Sequence, residues 1–278
     1  MARKSTKTTT ERIGASPKAK SGDPAAASKP TIAVVIPAFN EVATLRDVVT
    51  RALRQVDRII VVDDGSHDGT AATVRDLPVT LLCNPQNLGK AATLRRGMVH
   101  ALADGASAVV TIDADGQHEP EDIPCLVAAH VENPRSIIIG ARLHEREKIP
   151  RARYRANRFA NFLIGWAAGY AIADSQSGFR LYPAAVLSAL DIGHDTSRGF
   201  AIETAMLIKA ARVGVMSVPV KISAIYRSGA RASHFRPLVD IFLIGLVIWG
   251  SILSRGFDIP GLVRSRRGAN RSQASHSG

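Results

Sequence analysis

The sequence predicts an α/β fold in which helices cover both faces of a mostly parallel, doubly wound sheet. Short aliphatic runs alternate with segments of helical periodicity, and the links between them are short. Hydrophobic residues make up 46% of the chain but aromatic residues only 5%, which indicates an aliphatic interior. Two aliphatic runs end abruptly in carboxylates, at Asp63 and at Asp113. Buried parallel strands deliver polar groups in this way to the open edge of a sheet.

The first half of the chain contains the regular strand–helix alternation. Each predicted strand is a run of mostly aliphatic residues, and each predicted helix has apolar residues three or four positions apart, as from Val42 to Leu53. We expect Asn40 to cap that first helix. The predicted strands are 31–36, 57–62, 78–82, 108–112 and 136–139, and the later predicted helices are 68–75, 89–103 and 119–131.

The second half predicts helices over 151–173 and 200–213 and a strand over 215–220. Residues 241–253 are then continuously apolar, but these 13 residues fall short of the roughly 20 that cross a bilayer. A core helix and a helix in the membrane interface both remain possible. Because Trp249 and nearby arginines suit headgroup-level anchoring, we predict a membrane-interface helix over 237–256.

The charge of +12 is concentrated in the tails. Residues 1–30 hold seven Lys and Arg against two acids, or +5, and residues 255–278 hold five Arg against one acid, or +4, which leaves +3 for the body. We therefore predict disordered basic tails over 1–30 and 257–278, one domain over 31–236, and no nucleic-acid partner. The first basic residues precede no apolar stretch, so we predict no signal peptide and a cytoplasmic location.

The residues after the strands suit a nucleotide and a divalent cation. Asp113 and Asp115 lie one residue apart just past a predicted strand, and carboxylate oxygens are preferred ligands of Mg²⁺ or Mn²⁺. Arg180 suits an anionic acceptor, because a guanidinium meets phosphate oxygens in a bidentate manner. Three further motifs are I36-P-A-F-N-E41, V62-D-D-G-S66 and N87-L-G-K90.

These motifs, together with D113-A-D-G-Q117 and S177-G-F-R180, resemble those of family-2 glycosyltransferases with the GT-A fold. Within that family they are most similar to polyprenyl-phosphate sugar transferases. The resemblance covers residues 31–236. It implies a nucleotide sugar, GDP- or UDP-linked, bound by Pro37, Phe39, Glu41, Asp64, Lys90, Asp113, Ala114, Arg142 and Arg227. It implies a metal, Mg²⁺ or Mn²⁺, bound by Asp113, Asp115 and Gln117, and catalytic roles for Asp115, Arg180 and Glu203.

The chain departs from the dolichyl-phosphate enzymes late in the domain. Those enzymes carry an Arg-x-x-Gly-x-Ser-Lys run, whereas this chain has R227-S-G-A-R-A-S-H234, with the glycine one position early and histidine in place of lysine. Despite this departure, we expect Arg227, Arg231 and His234 to form a cationic lid over the diphosphate.

The expected function is therefore inverting, metal-dependent transfer of a sugar from a nucleotide sugar to a polyprenyl phosphate. The chain would associate peripherally with the inner face of the membrane. One alternative is a soluble transferase acting on a saccharide hydroxyl, with Glu203 as general base. Another is a non-catalytic scaffold that binds a sugar nucleotide at the membrane. A nucleotidyltransferase would want a glycine-rich basic loop after the first strand, and P37-A-F-N-E41 is not one.

Overall fold

A computed structural model of the chain describes residues 30–142, 151–194 and 201–223, together with Gly245. In this part of the chain, seven strands form one sheet in the order β3-β2-β1-β4-β6-β5-β7. The strands are β1 (Ile32–Ala38), β2 (Arg58–Asp63), β3 (Thr80–Cys83), β4 (Ala108–Thr111), β5 (Ile137–Ala141), β6 (Arg180–Pro183) and β7 (Ser217–Lys221).

Most of the sheet is parallel, as the sequence predicts. Strand β1 pairs in parallel with both β2 and β4, β2 pairs with β3, and β5 pairs with β7. The registers Ala38↔Asp63 and Val35↔Thr111 place the carboxyl ends of β1, β2 and β4 at one edge. Because their side chains meet at that edge, it is where a site can form in an open α/β sheet.

Strand β6 is the exception, and the sequence analysis does not predict it. It lies antiparallel between β4 and β5, with Arg180 opposite both Thr111 and Ile139. Since β6 runs in the opposite direction, its amino end lies beside the carboxyl ends of its two neighbours. The segment before β6 is thereby brought to the same edge as Asp113.

Helices cover both faces of the sheet. They are α1 (Leu45–Ala52), α2 (Lys90–Ala103), α3 (Ile123–Glu132), α4 (Arg151–Ala168), α5 (Ala184–Ala189) and α6 (Ala201–Arg212). Alternation along β1 sends Val34 and Ile36 into the core beneath α1 and α3, and sends Val35 into the core beneath α2, α4 and α6. All three side chains are fully buried, which confirms the predicted doubly wound architecture.

Three local predictions are wrong. Helix α1 begins at Leu45 after Thr44, not after Asn40. Asn40 has a φ of 55° instead, and its side chain accepts a hydrogen bond from the His67 N–H at 3.0 Å, which joins the loops after β1 and β2. Helix α4 ends at Ala168 because Gly169 takes a left-handed φ of 84° that stops it. Instead of an α-helix over 68–75, Thr70–Val74 forms a 3₁₀ helix.

Some predictions concern residues outside the described part of the chain. They are the predictions for the two tails and for the interface helix over 237–256, of which only Gly245 is described. The predicted domain boundaries therefore stay predictions. Among the described residues, no helix is both long enough and apolar enough to cross a membrane.

Candidate active site

Five strand ends meet at the edge of the sheet where the predicted site residues lie. The carboxyl ends of β1, β2, β4 and β5 contribute the loops that contain Phe39, Asp64, Asp113 and Arg142. The amino end of β6 contributes the loop over 173–179, because this strand is antiparallel. The fold therefore places side chains that are far apart in sequence within reach of one another.

The two carboxylates of the D113-A-D motif have different surroundings. Asp113 Oδ1 lies 2.8 Å from Lys90 Nζ. Burial raises the pKa of Asp113, but the charge and hydrogen bond of Lys90, together with the charges of His118 and Arg142, outweigh burial, so the net pKa is lowered. Asp115 accepts a hydrogen bond from the Gln117 N–H at 3.0 Å. Burial and the nearby charge of Asp113 raise the pKa of Asp115 to about 6.

Lys90 links Asp113 to Glu203, which lies in the first turn of α6. Its Nζ lies 3.3 Å from Glu203 Oε1, in addition to its ion pair with Asp113. Lys90 is the first residue of α2, and Gly89 before it has a φ of 87°. Burial lowers the pKa of Lys90, but the charges of Asp113 and Glu203 outweigh it and raise the net pKa. The ammonium therefore stays charged between the two carboxylates.

Gly178 lets the loop before β6 approach this ionic cluster. A Cβ at this position would lie 2.5 Å from Asp113 Oδ2 and 3.1 Å from Glu203 Oε1. The carbonyl oxygen of Gly178 accepts a hydrogen bond from Thr111 Oγ1 at 2.8 Å, which fixes the loop against β4. The absence of a side chain at Gly178 thus leaves the space that the carboxylates of Asp113 and Glu203 need.

Asp64 is buried and organises the loop that leads into α2. Its Oδ1 accepts hydrogen bonds from Asn84 Nδ2 at 2.7 Å and from the Leu88 N–H at 2.9 Å, and its Oδ2 accepts one from the Gly89 N–H at 2.9 Å. A carboxylate has about four acceptor positions, so these three bonds leave room for one more donor. The structure places Asp64 at the predicted edge and shows that it also positions Gly89, the residue before Lys90.

The loop after β1 lies beside the D113-A-D motif. The Glu41 N–H donates to Thr70 Oγ1 at 2.8 Å, and the charge of Glu41 contributes to the raised pKa of Asp115. Pro37 lies within β1 and Phe39 follows its end, and both are half-buried, whereas Ala114 is buried in the core. These predicted nucleotide-sugar residues thus border the acidic cluster.

Arg142 is held by a buried carboxylate that the sequence analysis does not single out. Asp174 Oδ2 accepts bonds from the Arg142 main-chain N–H at 3.2 Å and from Arg142 Nε at 3.3 Å. Near this pair, burial and the charge of Arg142 lower the pKa of His118 to about 4. The His118 ring packs against Phe179 with a centroid distance of 5.4 Å. Arg142 is therefore part of the same edge as Asp113.

Arg180, to which the sequence analysis assigns a catalytic role, bonds to backbone carbonyls inside the protein. It is fully buried, and its guanidinium donates to the carbonyl oxygens of Ser175, Ser177 and Glu203 at 2.7, 2.7 and 2.8 Å. These bonds join the loop before β6 to α6. The S177-G-F-R motif predicts an arginine at this edge, but its chemistry here is to satisfy backbone carbonyls, because a buried guanidinium must find acceptors.

The residues present fit a divalent cation that has a second source of ligands. Asp113 and Asp115 place two carboxylates close enough for one to raise the pKa of the other, and a cation would relieve that repulsion. Within the described ranges, no group of three or more His, Cys, Asp or Glu side chains could hold a metal by itself. The other ligands would have to be oxygens of a bound diphosphate or water. Arg227, Arg231 and His234 lie outside the described residues.

Two curated relatives resemble this chain over most of its length. A UDP-N-acetylglucosamine–dolichyl-phosphate N-acetylglucosaminyltransferase of Methanococcus voltae is 28% identical over 73% of this chain and 90% of its own. A polyprenol monophosphomannose synthase of Mycolicibacterium smegmatis is 32% identical over 72% of this chain and 80% of its own.

The fold resembles that of glucosyl-3-phosphoglycerate synthase from Mycobacterium tuberculosis, whose crystal structure contains Mn²⁺, UDP and glucosyl-3-phosphoglycerate. The match has a TM-score of 0.55 and 24% identity over 81% of this chain and 80% of that one. The family model for "Glycosyl transferase family 2" matches residues 33–190, more than half of the sequence. These matches confirm the resemblance seen in the motifs: the chain belongs to glycosyl transferase family 2.

Proposed function

We propose that this chain transfers a sugar from a nucleotide sugar to a polyprenyl phosphate, with inversion at the anomeric carbon and with Mg²⁺ or Mn²⁺. The observation that carries the proposal is the cluster of Asp113, Lys90 and Glu203 at the strand ends. It combines a cation-binding motif with a charged lysine and a second acid at one edge. A transferase needs such a combination to hold a diphosphate on one side and an acceptor on the other.

The names of the relatives support the acceptor class. The Methanococcus voltae protein is named for a dolichyl-phosphate acceptor and a UDP-linked donor, and the Mycolicibacterium smegmatis protein for a polyprenol monophosphomannose product. A polyprenyl phosphate as acceptor fits both names. The nucleotide of the donor, GDP or UDP, stays open for this chain.

A location at the cytoplasmic face of the membrane completes the proposal. Phe159 of α4 is 64% exposed, although it is a large apolar side chain. The apolar run over 241–253 is a second segment whose composition suits the interface. A chain that acts on lipid-linked acceptors at the membrane surface would use such segments.

The donor would lie across the ends of β1, β2 and β4. Asp64 has one acceptor position left for a donor group of the base or ribose, and Pro37, Phe39 and Glu41 border the same space. Asp113 and Asp115, with Gln117 beside them, would hold the metal, which neutralises charge on the departing diphosphate when bound. Lys90 adds a fixed positive charge next to Asp113.

The acceptor phosphate would approach from the side of Glu203. A phosphate oxygen forms the new bond to the anomeric carbon while the bond from that carbon to the diphosphate oxygen breaks, and the nucleoside diphosphate leaves. A phosphomonoester has its second pKa near about 6, so near neutral pH it needs little help from a base. Glu203, ion-paired with Lys90, would orient the acceptor side of the site and not remove a proton.

Transfer of labelled sugar into organic-extractable lipid tests the proposal. Membranes containing the chain would be incubated with a panel of GDP- and UDP-sugars, with and without EDTA. We expect label in the lipid phase, lost on chelation and reduced at least about tenfold by Asp115→Ala, the effect of losing one charge-assisted contact. Asp76→Asn, which breaks an exposed ion pair with Arg46, is the matched control and should retain activity.

The alternatives give different outcomes in the same experiment. Nucleoside diphosphate release with a saccharide acceptor, and no lipid label, would contradict the polyprenyl proposal and assign Glu203 the role of general base. Tight binding of sugar nucleotides without turnover of any donor would instead support a non-catalytic scaffold.

A further inference from the structure

We propose that Asp174 is a positioning residue, which holds Arg142 so that its guanidinium meets phosphate oxygens of a bound substrate. This inference rests on the proposed function for the identity of the substrates. It concerns a residue to which neither the motifs nor the family resemblance assigns a role. The argument starts from the burial of Asp174.

A carboxylate as buried as Asp174 requires partners. Its side chain is 1% exposed, and burial of an unpaired charge is strongly unfavourable. Oδ2 accepts the two bonds from Arg142, and Oδ1 accepts a bond from the Gln176 N–H at 3.2 Å. Asp174 thus binds both the main chain and the side chain of the residue that follows β5. An exposed surface pair would fix neither.

The pairing with Asp174 does not use the two terminal nitrogens of the Arg142 guanidinium, so they are available to bind a substrate. The bonds to Asp174 use the main-chain N–H and Nε of Arg142, both near the stem of the side chain. The two terminal nitrogens lie beyond the ion pair, and they are the pair that binds phosphate oxygens in a bidentate manner. Arg142 directly follows the carboxyl end of β5, and Asp174 lies on the loop that brings Gly178 to Asp113, so the pair belongs to the same edge of the sheet as the D113-A-D motif.

The loop that carries Asp174 is itself fixed from two sides. From α4, Asn161 donates to the Ala173 carbonyl at 2.7 Å and accepts a bond from the Ser175 N–H at 2.9 Å. From β6, Arg180 donates to the Ser175 and Ser177 carbonyls. Asp174 lies between these anchor points. A carboxylate on such a rigid loop can hold the direction of Arg142 without touching the substrate.

A double-mutant cycle tests the proposal. Arg142→Gln, Asp174→Asn and the double variant would be compared with the parent chain in two assays. One is calorimetric binding of UDP and of GDP with Mg²⁺, and the other is kcat/KM for the transfer reaction. If Arg142 binds the donor diphosphate, each single variant should lower the nucleotide affinity about tenfold, which is the effect of one charge-assisted hydrogen bond. If Arg142 binds the acceptor phosphate, the same loss should appear only in kcat/KM. We expect the Asp174→Asn loss to vanish in the Arg142→Gln background.

The two assays distinguish the source of the phosphate. Coupling in nucleotide binding assigns Arg142 to the diphosphate of the donor, whereas coupling only in the kcat/KM for the acceptor assigns it to the acceptor phosphate. Equal losses from Asp174→Asn in both backgrounds would show a general structural role and overturn the proposal. Asp76→Asn, which breaks an exposed carboxylate–guanidinium pair, should change neither assay.

One further variant tests whether the Asp174 substitution unfolds the protein, and the binding assay tests the role of Asp174 even if the proposed function is wrong. Asp174→Glu keeps the negative charge and moves the carboxylate by one methylene, so it should fold even if Asp174→Asn does not, and it should show the same coupling. If the parent chain transfers no sugar to lipid, the proposed function fails, but the nucleotide-binding cycle still decides the role of Asp174. Absence of coupling there would then overturn it.

Discussion

Among single residues, Gly178 constrains the site most closely. A Cβ at this position would meet the carboxylates of both Asp113 and Glu203, which are the two partners of Lys90. The S177-G-F-R motif indicates that the position matters, but the motif does not show what the glycine touches. The contact becomes visible only when β6 is placed beside β4.

We predict that Gly178→Ala lowers both the kcat/KM of the transferase reaction and the free energy of unfolding. The added Cβ would lie 2.5 Å from Asp113 Oδ2, so the Asp113 side chain must move away from Lys90. The flexible end of one side chain can give way, and we therefore expect a cost in unfolding free energy of about 1–3 kcal/mol. The loss of kcat/KM should be at least about tenfold, since one charge-assisted contact is broken.

Gly193→Ala is the matched control for this variant, because a Cβ at Gly193 has no atom within 4 Å. Urea denaturation measures the free energy of unfolding of both variants, and steady-state kinetics measures their kcat/KM. Equal activity of the two would show that the close approach at Gly178 has no functional role.

At the scale of elements, the packing of α2 against the sheet sets the position of Lys90, the first residue of that helix. Gly97 lies in the middle of α2, directly over Val35 of β1 and Val62 of β2. Glycine in a helix interior costs roughly 0.5–1 kcal/mol relative to alanine, so its presence calls for a packing reason. The close approach of the helix to the two strands supplies it.

We predict that Gly97→Ala destabilises the protein although alanine favours helix. Its Cβ would overlap Val35 Cγ1 and lie 3.0 Å from Val62 Cγ2, so α2 must shift away from the sheet. The expected loss in unfolding free energy is about 1–3 kcal/mol by urea denaturation. Val99→Ala on the exposed side of α2 should stay within about 0.5 kcal/mol of the parent. A more stable Gly97→Ala variant would contradict this account.

The antiparallel strand β6 is an element that the sequence patterns miss, as is the short helix α5 that follows it. The four residues of β6, Arg180–Pro183, follow a functional motif and give no long aliphatic run. A short strand of this kind is identified by its partners β4 and β5, which lie at least about forty positions away in the sequence. Its direction, which brings Asp174 and Gly178 to the site, is likewise a property of the sheet and not of the segment.

For the whole molecule, acid stability should depend on His118. Burial and the charge of Arg142 lower its pKa from 6.5 to about 4. Between those two values the unfolded chain binds a proton at this position and the folded chain does not. The stability that comes from keeping His118 neutral is therefore present above pH 6.5 and is lost as the pH falls towards 4.

We predict that His118→Leu flattens the pH dependence of the unfolding free energy over this window. The histidine contributes at most about 1.4 kcal/mol per pH unit to the slope. Urea denaturation at several pH values from 7 to 4.5 measures it. His67→Leu, at an exposed position, should keep the parent slope. An unchanged slope in His118→Leu would show that His118 is not held neutral.

Membrane association is the second property of the whole molecule. If the apolar run over 241–253 enters the interface, Trp249→Glu should abolish flotation of the full chain with vesicles that contain anionic lipid. Nucleotide binding should stay unchanged, because the described site lies elsewhere in the chain. Flotation of the variant at the parent level would contradict the predicted interface helix, and loss of nucleotide binding would point to misfolding.

The sequence by itself determines the parallel half of the fold and the acids that follow its strands. Aliphatic runs that end at Asp63 and Asp113 carry this information locally, because strand periodicity and strand ends are properties of neighbouring residues. Only the tertiary structure decides that Lys90 bridges Asp113 and Glu203, that Asp174 holds Arg142, and that Arg180 bonds to backbone carbonyls. The physical reason is that each of these contacts joins segments that lie far apart in the sequence, so the contact exists only after those segments have packed together in the fold.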